Sequence, residues 1–213
     1  MTATEHRELR ADAQRNLQRV LDAARAVFAE QGVDAHMDEI ARRAGVGVGT
    51  IFRRFPTKDA LLAALLEQRG RELLAGEDAT FESFVTTLVD SQIADRAFCD
   101  SVGTHVFAQP RVRALFDDVL ARLGRLLDEA KAEGAVREDV TVEDVTLVVH
   151  GVAHVGLMLE SAAHGVWRRY LRLALDGLRP CAATPLPRRA PTQRQFAAAR
   201  GARAAARGAR ASR

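Results

Sequence analysis

Residues 37–66 read MDEIARRAGVGVGTIFRRFPTKDALLAALL. The spacing predicts a short helix over about 37–44, a glycine turn at Gly45, a second short helix over about 47–54, a stop at Pro56 and a long helix over 57–75. Met37, Ile40, Ala41 and Ala44 share the inner side of the first helix, and Ile51 and Phe55 that of the second. Ala41 is small where two helices must cross. Gly45 suits a turn residue at positive φ. Proline disfavours the helical region for the residue before it, so Phe55–Pro56 ends the second helix. Thr57 is suited to cap the third, with Asp59 in its first turn. Glu39, three residues after His36, stands where a capping box places its acid, although His36 is a poor cap.

Working outward, residues 13–31 form a preceding helix. Leu17, Val20, Leu21, Ala24, Val27 and Phe28 make one apolar stripe, and Gly32 stops it. The three segments together predict a helix-turn-helix head whose second helix could enter the major groove of DNA. Its exposed N-terminal residues Gly47, Val48, Gly49 and Thr50, followed by Phe52 and Arg53, would meet base edges. Gly47 and Gly49 allow close backbone approach, at about 1 kcal/mol each in helix stability relative to alanine. Val48 suits a thymine methyl, and Arg53 a guanine or a phosphate. His36, Arg54 and Lys58 are candidate phosphate contacts.

The run VFAEQGVDAHMDEIARRAGVGVGTIFRRFPTKDALLAAL (27–65) resembles the N-terminal domain of TetR/AcrR-type transcriptional regulators, and the similarity is continuous over about residues 13–66. Phe52 stands where that family has a phosphate-contacting tyrosine, and His36 where it has Ser or Thr. The resemblance implies a ligand-released homodimeric repressor on a near-palindromic operator. It also implies a C-terminal helical domain that binds a small effector and pairs two subunits.

The rest of the chain predicts helices over 80–102, 112–131, 142–163 and 166–178. The expected organisation is all-α: a helix-turn-helix head over 1–56, a helical ligand-binding and dimerisation domain over 57–180, and a disordered tail over 181–213. The 142–163 segment is apolar on several sides, so it needs cover on several sides. Val148, Val152, Val155 and Leu159, with Trp167, Leu171 and Leu175 of the last helix, are the expected dimer interface. Phe84, Phe98, Cys99, His105, Phe107, Phe116, His154 and Met158 are the expected lining of a cavity for a hydrophobic effector.

Composition sets outer limits. Apolar residues make up 47% of 213 residues, and the charge of +3 is unevenly placed. Residues 1–58 sum to +2, residues 59–178 to −8, and residues 179–213 to +9 with no acid. The high isoelectric point therefore belongs to the tail. That tail cannot support a core and reads as a bare extension, with a polybasic DNA-binding arm as the alternative. No secretory signal or membrane span is read, and Cys99 and Cys181 have no metal spacing, so a reduced cytoplasmic setting is expected. His150 and His154 are spaced i, i+4 but lack a third ligand. No nucleophile elbow, Walker loop or dinucleotide fingerprint occurs, so neither enzyme activity, cofactor nor metal is expected. A metal-binding helical protein using the His150/His154 face is the competing reading. A DNA-binding scaffold that ignores small molecules is a third.

Overall fold

The computed structural model describes residues 3–32, 35–76, 80–94, 106, 109–181, 184–192 and 194–195. Among these it has eight α-helices: α1 Ala3–Gln31, α2 Met37–Ala44, α3 Val48–Arg54, α4 Lys58–Ala75, α5 Phe81–Ala94, α6 Pro110–Ala132, α7 Val142–Leu159 and α8 Trp167–Gly177. They pack around two clusters of buried apolar side chains. The first joins α1, α2, α3 and the first half of α4, and takes in Val106 and Val112. The second joins Leu73 of α4 to α5, α6, α7 and α8.

Local chemistry sets the turn of the head. Gly45 lies at φ 66°, ψ 34°. Its N–H donates to the Arg42 carbonyl (3.2 Å), and that of Val46 to the Ala41 carbonyl (3.1 Å). This is a Schellman ending, which satisfies carbonyls the helix leaves open and needs a left-handed residue at its centre. Ala41 and Ile40 are fully buried beneath it. Thr57 caps α4, its hydroxyl accepting from the Ala60 N–H at 3.1 Å. Thr141 and Asp144 cap α7 reciprocally.

Some expectations change. Helix α1 starts at Ala3 rather than residue 13, because good helix formers extend it beyond the packed stripe. His36 makes no side-chain cap bond. Glu39 instead binds the Arg42 guanidinium through two bonds of 2.9 and 2.6 Å, a planar fork that a histidine cap cannot match. Helix α7 ends at Leu159, short of residue 163. Helix α5 is described to Ala94, and the remainder of the expected 80–102 helix lies outside the described residues.

Helix α4 connects the two clusters and is held against α6. A Cβ on Gly70 would overlap the Leu115 side chain, so a larger residue there would have to displace that leucine. Beyond it, Arg122 of α6 is 9% exposed and donates to the carbonyls of Leu73 (3.1 Å), Leu74 (2.9 Å) and Gly76. Its guanidinium also lies over the Phe84 ring, 5.0 Å from the centroid. A charged group thus closes the open C-terminal carbonyls of α4 and fixes that end to α5 and α6. Glu72 links Arg25 of α1 to Arg69, whose Nε donates to Ser91 of α5 at 2.7 Å.

The positive φ of Gly45 gives a direct test of the turn. Gly45→Ala is expected to lower stability by about 1–2 kcal/mol in urea unfolding, with Gly45→Asn less damaging.

Candidate nucleic-acid interface

Helix α3 is short and turns only one residue fully inward, Ile51 at 1% exposure. Gly47 is its N-cap, in extended conformation, and the N–H of Thr50 donates to its carbonyl at 2.9 Å. Outside the helix, glycine costs little, so the helix penalty expected for two glycines falls on Gly49 alone. A Cβ on Gly49 would meet nothing within 4 Å. Val48 and Phe52 remain 44% and 42% exposed, and Thr50, Arg53 and Arg54 are also exposed. Gly47, Val48, Gly49, Thr50, Phe52 and Arg53 therefore occupy one outward-facing helix and its approach. Arg54 follows at the end of α3, half-buried Lys58 opens α4, and exposed His36 precedes α2.

The neighbouring arginines are differently occupied. Arg43 binds Glu30 of α1 at 2.7 Å, and Arg42 binds Glu39. Hydrogen bonds from these guanidiniums hold the Glu30 and Glu39 carboxyls below the ordinary glutamate range. The Glu30–Arg43 pair ties α1 to α2, while Arg42, paired within α2, stays exposed.

The body contains an apolar cavity of about 50 Å³ between α4, α5, α6 and α7. Leu66 and Gly70 line it from α4, Leu115 and Phe116 from α6, Gln92 from α5 and His150 from α7. Of the expected lining, Phe116 is there. Phe84 is instead buried under Arg122, because α5 turns it toward the end of α4. His154 is exposed and Met158 is 69% exposed, one helical face away from the cavity. Phe98, Cys99, His105 and Phe107 lie outside the described residues. The His150/His154 pair is split: the Nδ1–H of His150 donates to the Thr146 carbonyl at 2.7 Å, while His154 faces outward.

The expected dimer residues divide in the same way. Trp167, Leu171, Leu175 and Val152 are buried in the chain's own second cluster. The strongest apolar stripe of α8 is used within the subunit, and Arg168 stacks on Trp167 at 4.4 Å. Val148 and Leu159 are half-buried, and Val155 is 36% exposed. What remains uncovered is a second stripe: Leu147, Val155 and Met158 on α7 with Tyr170 and Leu173 on α8. Helix α7 has the length and apolarity of a short membrane span. Its capping box, acidic first turn and packing on α5 and α8 account for it as a body helix with one bare side. Gly156 permits that packing, since a Cβ there would lie 2.7 Å from Ile93 and 2.9 Å from Trp167.

Residues that the sequence pattern did not single out include Gly70, Leu115, Arg122, Ser91 and Gln92. Arg122 had a readable signal, a charge on the stripe of Val119, Leu123 and Leu126.

Residues 20–65 match the bacterial regulatory proteins of the tetR family, and residues 77–180 match the C-terminal domain of SbtR-like transcriptional regulators. The transcriptional regulator SrpR of Pseudomonas putida is 37% identical over 92 residues, covering 40% of this chain and 43% of SrpR, so the match spans less than half of that relative. A TetR transcription regulatory protein from Mycobacterium vanbaalenii is 40% identical, with a TM-score of 0.57, over 80% of this chain and 99% of that one. A TetR transcriptional regulator from Streptomyces coelicolor is 32% identical, with a TM-score of 0.54, over 78% of this chain and 99% of that one. With both halves of the chain matched and the helix-turn-helix head followed by an all-helical body, this protein belongs to the TetR family of transcriptional regulators.

Proposed function

We propose that the protein is a cytoplasmic homodimeric repressor that sets one α3 helix into each half-site of a near-palindromic operator and is released by a small apolar effector. The observation that carries this reading is the outer side of α3, where Val48, Phe52 and Arg53 are exposed around an open Gly49. An exposed aromatic and an exposed valine on a seven-residue helix are explained by contact with base edges and sugar. In this reading Arg53 meets guanine or phosphate, and Thr50, Arg54, Lys58 and His36 hold phosphate. Phe52 supplies apolar contact in place of a hydroxyl.

Pairing follows from the bare stripe. Leu147, Val155, Met158, Tyr170 and Leu173 lie on two adjacent helices, and a two-fold copy of the same stripe would cover it. The interface is therefore built from these residues, with Val148 and Leu159 at its edge.

The effector reading rests on the cavity and its walls. A ring the size of benzene needs an apolar cavity of about 150 Å³. At about 50 Å³, this one must open to hold it. Because Leu66 and Gly70 of α4 form one wall, opening would move the helix that carries the head. The effector would then favour a head placement that DNA does not, and DNA would weaken effector binding by the same factor.

Selection of bound duplexes from a random pool tests the reading. The intact chain is expected to recover two-fold symmetric sites with half-sites about 34–36 Å apart or a multiple of it. Leu173→Glu is expected to give a monomer and recover no symmetric site. Recovery of asymmetric sites by the intact chain contradicts the homodimer. Arg53→Ala is expected to cost about 1–3 kcal/mol and relax preference at one position per half-site. Gly49→Ala separates folding from reading: it should stabilise the head by about 0.5–1 kcal/mol and weaken operator binding. Stronger binding by the alanine variant would place α3 elsewhere than in the groove.

A further inference from the structure

The cavity in the body is polar on one side only. Ser91 and Gln92 line it from α5, and Thr146 and His150 from α7, two helices that pack directly on one another. The walls from α4 and α6 are hydrocarbon, apart from Gly70. Ser91 is 1% exposed and Gln92 6%. Polar groups buried this deeply beside a hydrocarbon wall cost free energy unless their hydrogen bonds are made.

The neighbours of each group set what it offers. Ser91 Oγ accepts from Arg69 Nε at 2.7 Å. A hydroxyl that accepts keeps its own proton to donate. His150 Nδ1 lies 2.7 Å from the Thr146 carbonyl, which can only accept, so Nδ1 carries a proton and Nε2 is the acceptor of the neutral ring. The Thr146 hydroxyl donates to the Val142 carbonyl at 2.7 Å, within its own helix. The Gln92 amide both donates and accepts. A group that enters must replace the hydrogen bonds that Gln92 and His150 make in the closed cavity. A hydroxyl can do so, because it gives one proton and accepts another.

Full charges are absent from the lining. Among the described residues no Asp, Glu, Lys or Arg takes part in it. The two cations closest in the fold are committed elsewhere. Arg69 binds Glu72 at 3.0 Å as well as Ser91, and Arg122 donates to the carbonyls of Leu73, Leu74 and Gly76. A carboxylate in the cavity would be buried without a countercharge or would have to take Arg69 from Glu72. An ammonium would meet no carboxylate at all. Either loss is larger than a single neutral hydrogen bond can offset.

We infer that the effector is an uncharged compact ring bearing one hydroxyl, of the phenol or cyclohexanol kind, a reading that rests on this cavity being the effector site proposed above. The hydroxyl lies on the α5–α7 side, donating to His150 and accepting from Ser91 or Gln92. The ring lies against α4 and α6. Room for it comes from the Leu115 side chain, which rests on Gly70 and has to swing away.

The test uses the full chain and four rings of similar size: phenol, toluene, benzoate and benzylammonium. Each is titrated by calorimetry up to the solubility of toluene, and its effect on the complex with the selected operator is read by fluorescence anisotropy. Phenol is expected to bind about tenfold or more tighter than toluene, and the two ions not to bind. Gln92→Leu and His150→Leu should each bring the phenol-to-toluene ratio toward one while toluene binding is kept, and kept toluene binding shows that the cavity survives. Equal binding of phenol and toluene by the intact chain overturns the hydroxyl. Benzoate or benzylammonium binding as well as phenol overturns the uncharged class. A phenol preference that persists in both leucine variants overturns the placement. Failure of all four rings to bind overturns the effector reading together with the inference. Selective phenol binding that leaves the operator complex intact supports the ligand class and contradicts release instead.

Discussion

Helix α4 belongs to two cores at once, and the rest of the structure is arranged around that sharing. Its first half, from Leu61 to Leu66, is buried with α1, α2 and α3, while Leu73 is buried with α5, α6, α7 and α8. Between them Gly70 sits against the Leu115 side chain, which a methyl group there would displace. At the far end Arg122 holds three carbonyls and lies on Phe84. A shift of α4 against α6 displaces residues of both cores. The head, capped onto α4 at Thr57, goes with it. Any ligand that opens the cavity beside Gly70 must act on this contact first.

The second constraint is the two-sided apolar character of α7 and α8. One side of each helix is satisfied inside the chain, by Val149 and Val152 on α7 and by Trp167, Leu171 and Leu175 on α8. The other side leaves Leu147, Met158, Tyr170 and Leu173 in water. Isolated exposed apolar residues need no explanation, but a stripe running over two adjacent helices does. The structure thus separates two demands that the sequence presents merged in one apolar segment.

That separation also explains how much of the fold is legible in the sequence. The head can be read because its determinants are local: a left-handed glycine at 45, a proline at 56 and a capping threonine at 57 each act within a few residues. The body cannot be read as fully. Helix phase picks out the strongest apolar stripe, and on α8 that stripe faces the subunit's own core. The weaker stripe, Tyr170 and Leu173 interleaved with Arg169 and Arg172, reads as surface. Cavity residues depend on how α4, α5, α6 and α7 cross, which spacing along one helix does not encode. Hence helix phase puts Phe116 beside the cavity, leaves Met158 exposed on another side, and gives no sign of Gln92 or Gly70. The His36–Glu39 cap fails for a different reason: Arg42, one turn on, offers Glu39 a better partner.

The central claim is that two heads, each carried on a seated α4, are held at one separation when they bind DNA together. Pulsed electron paramagnetic resonance tests it most directly, with a nitroxide at exposed Ala29 of α1 in a C99S/C181S background. The account predicts a single narrow distance between the two labels in the complex with a two-fold duplex, broadening when the duplex is removed. No dipolar coupling between labels in that complex, or an equally broad distribution with and without DNA, would contradict it.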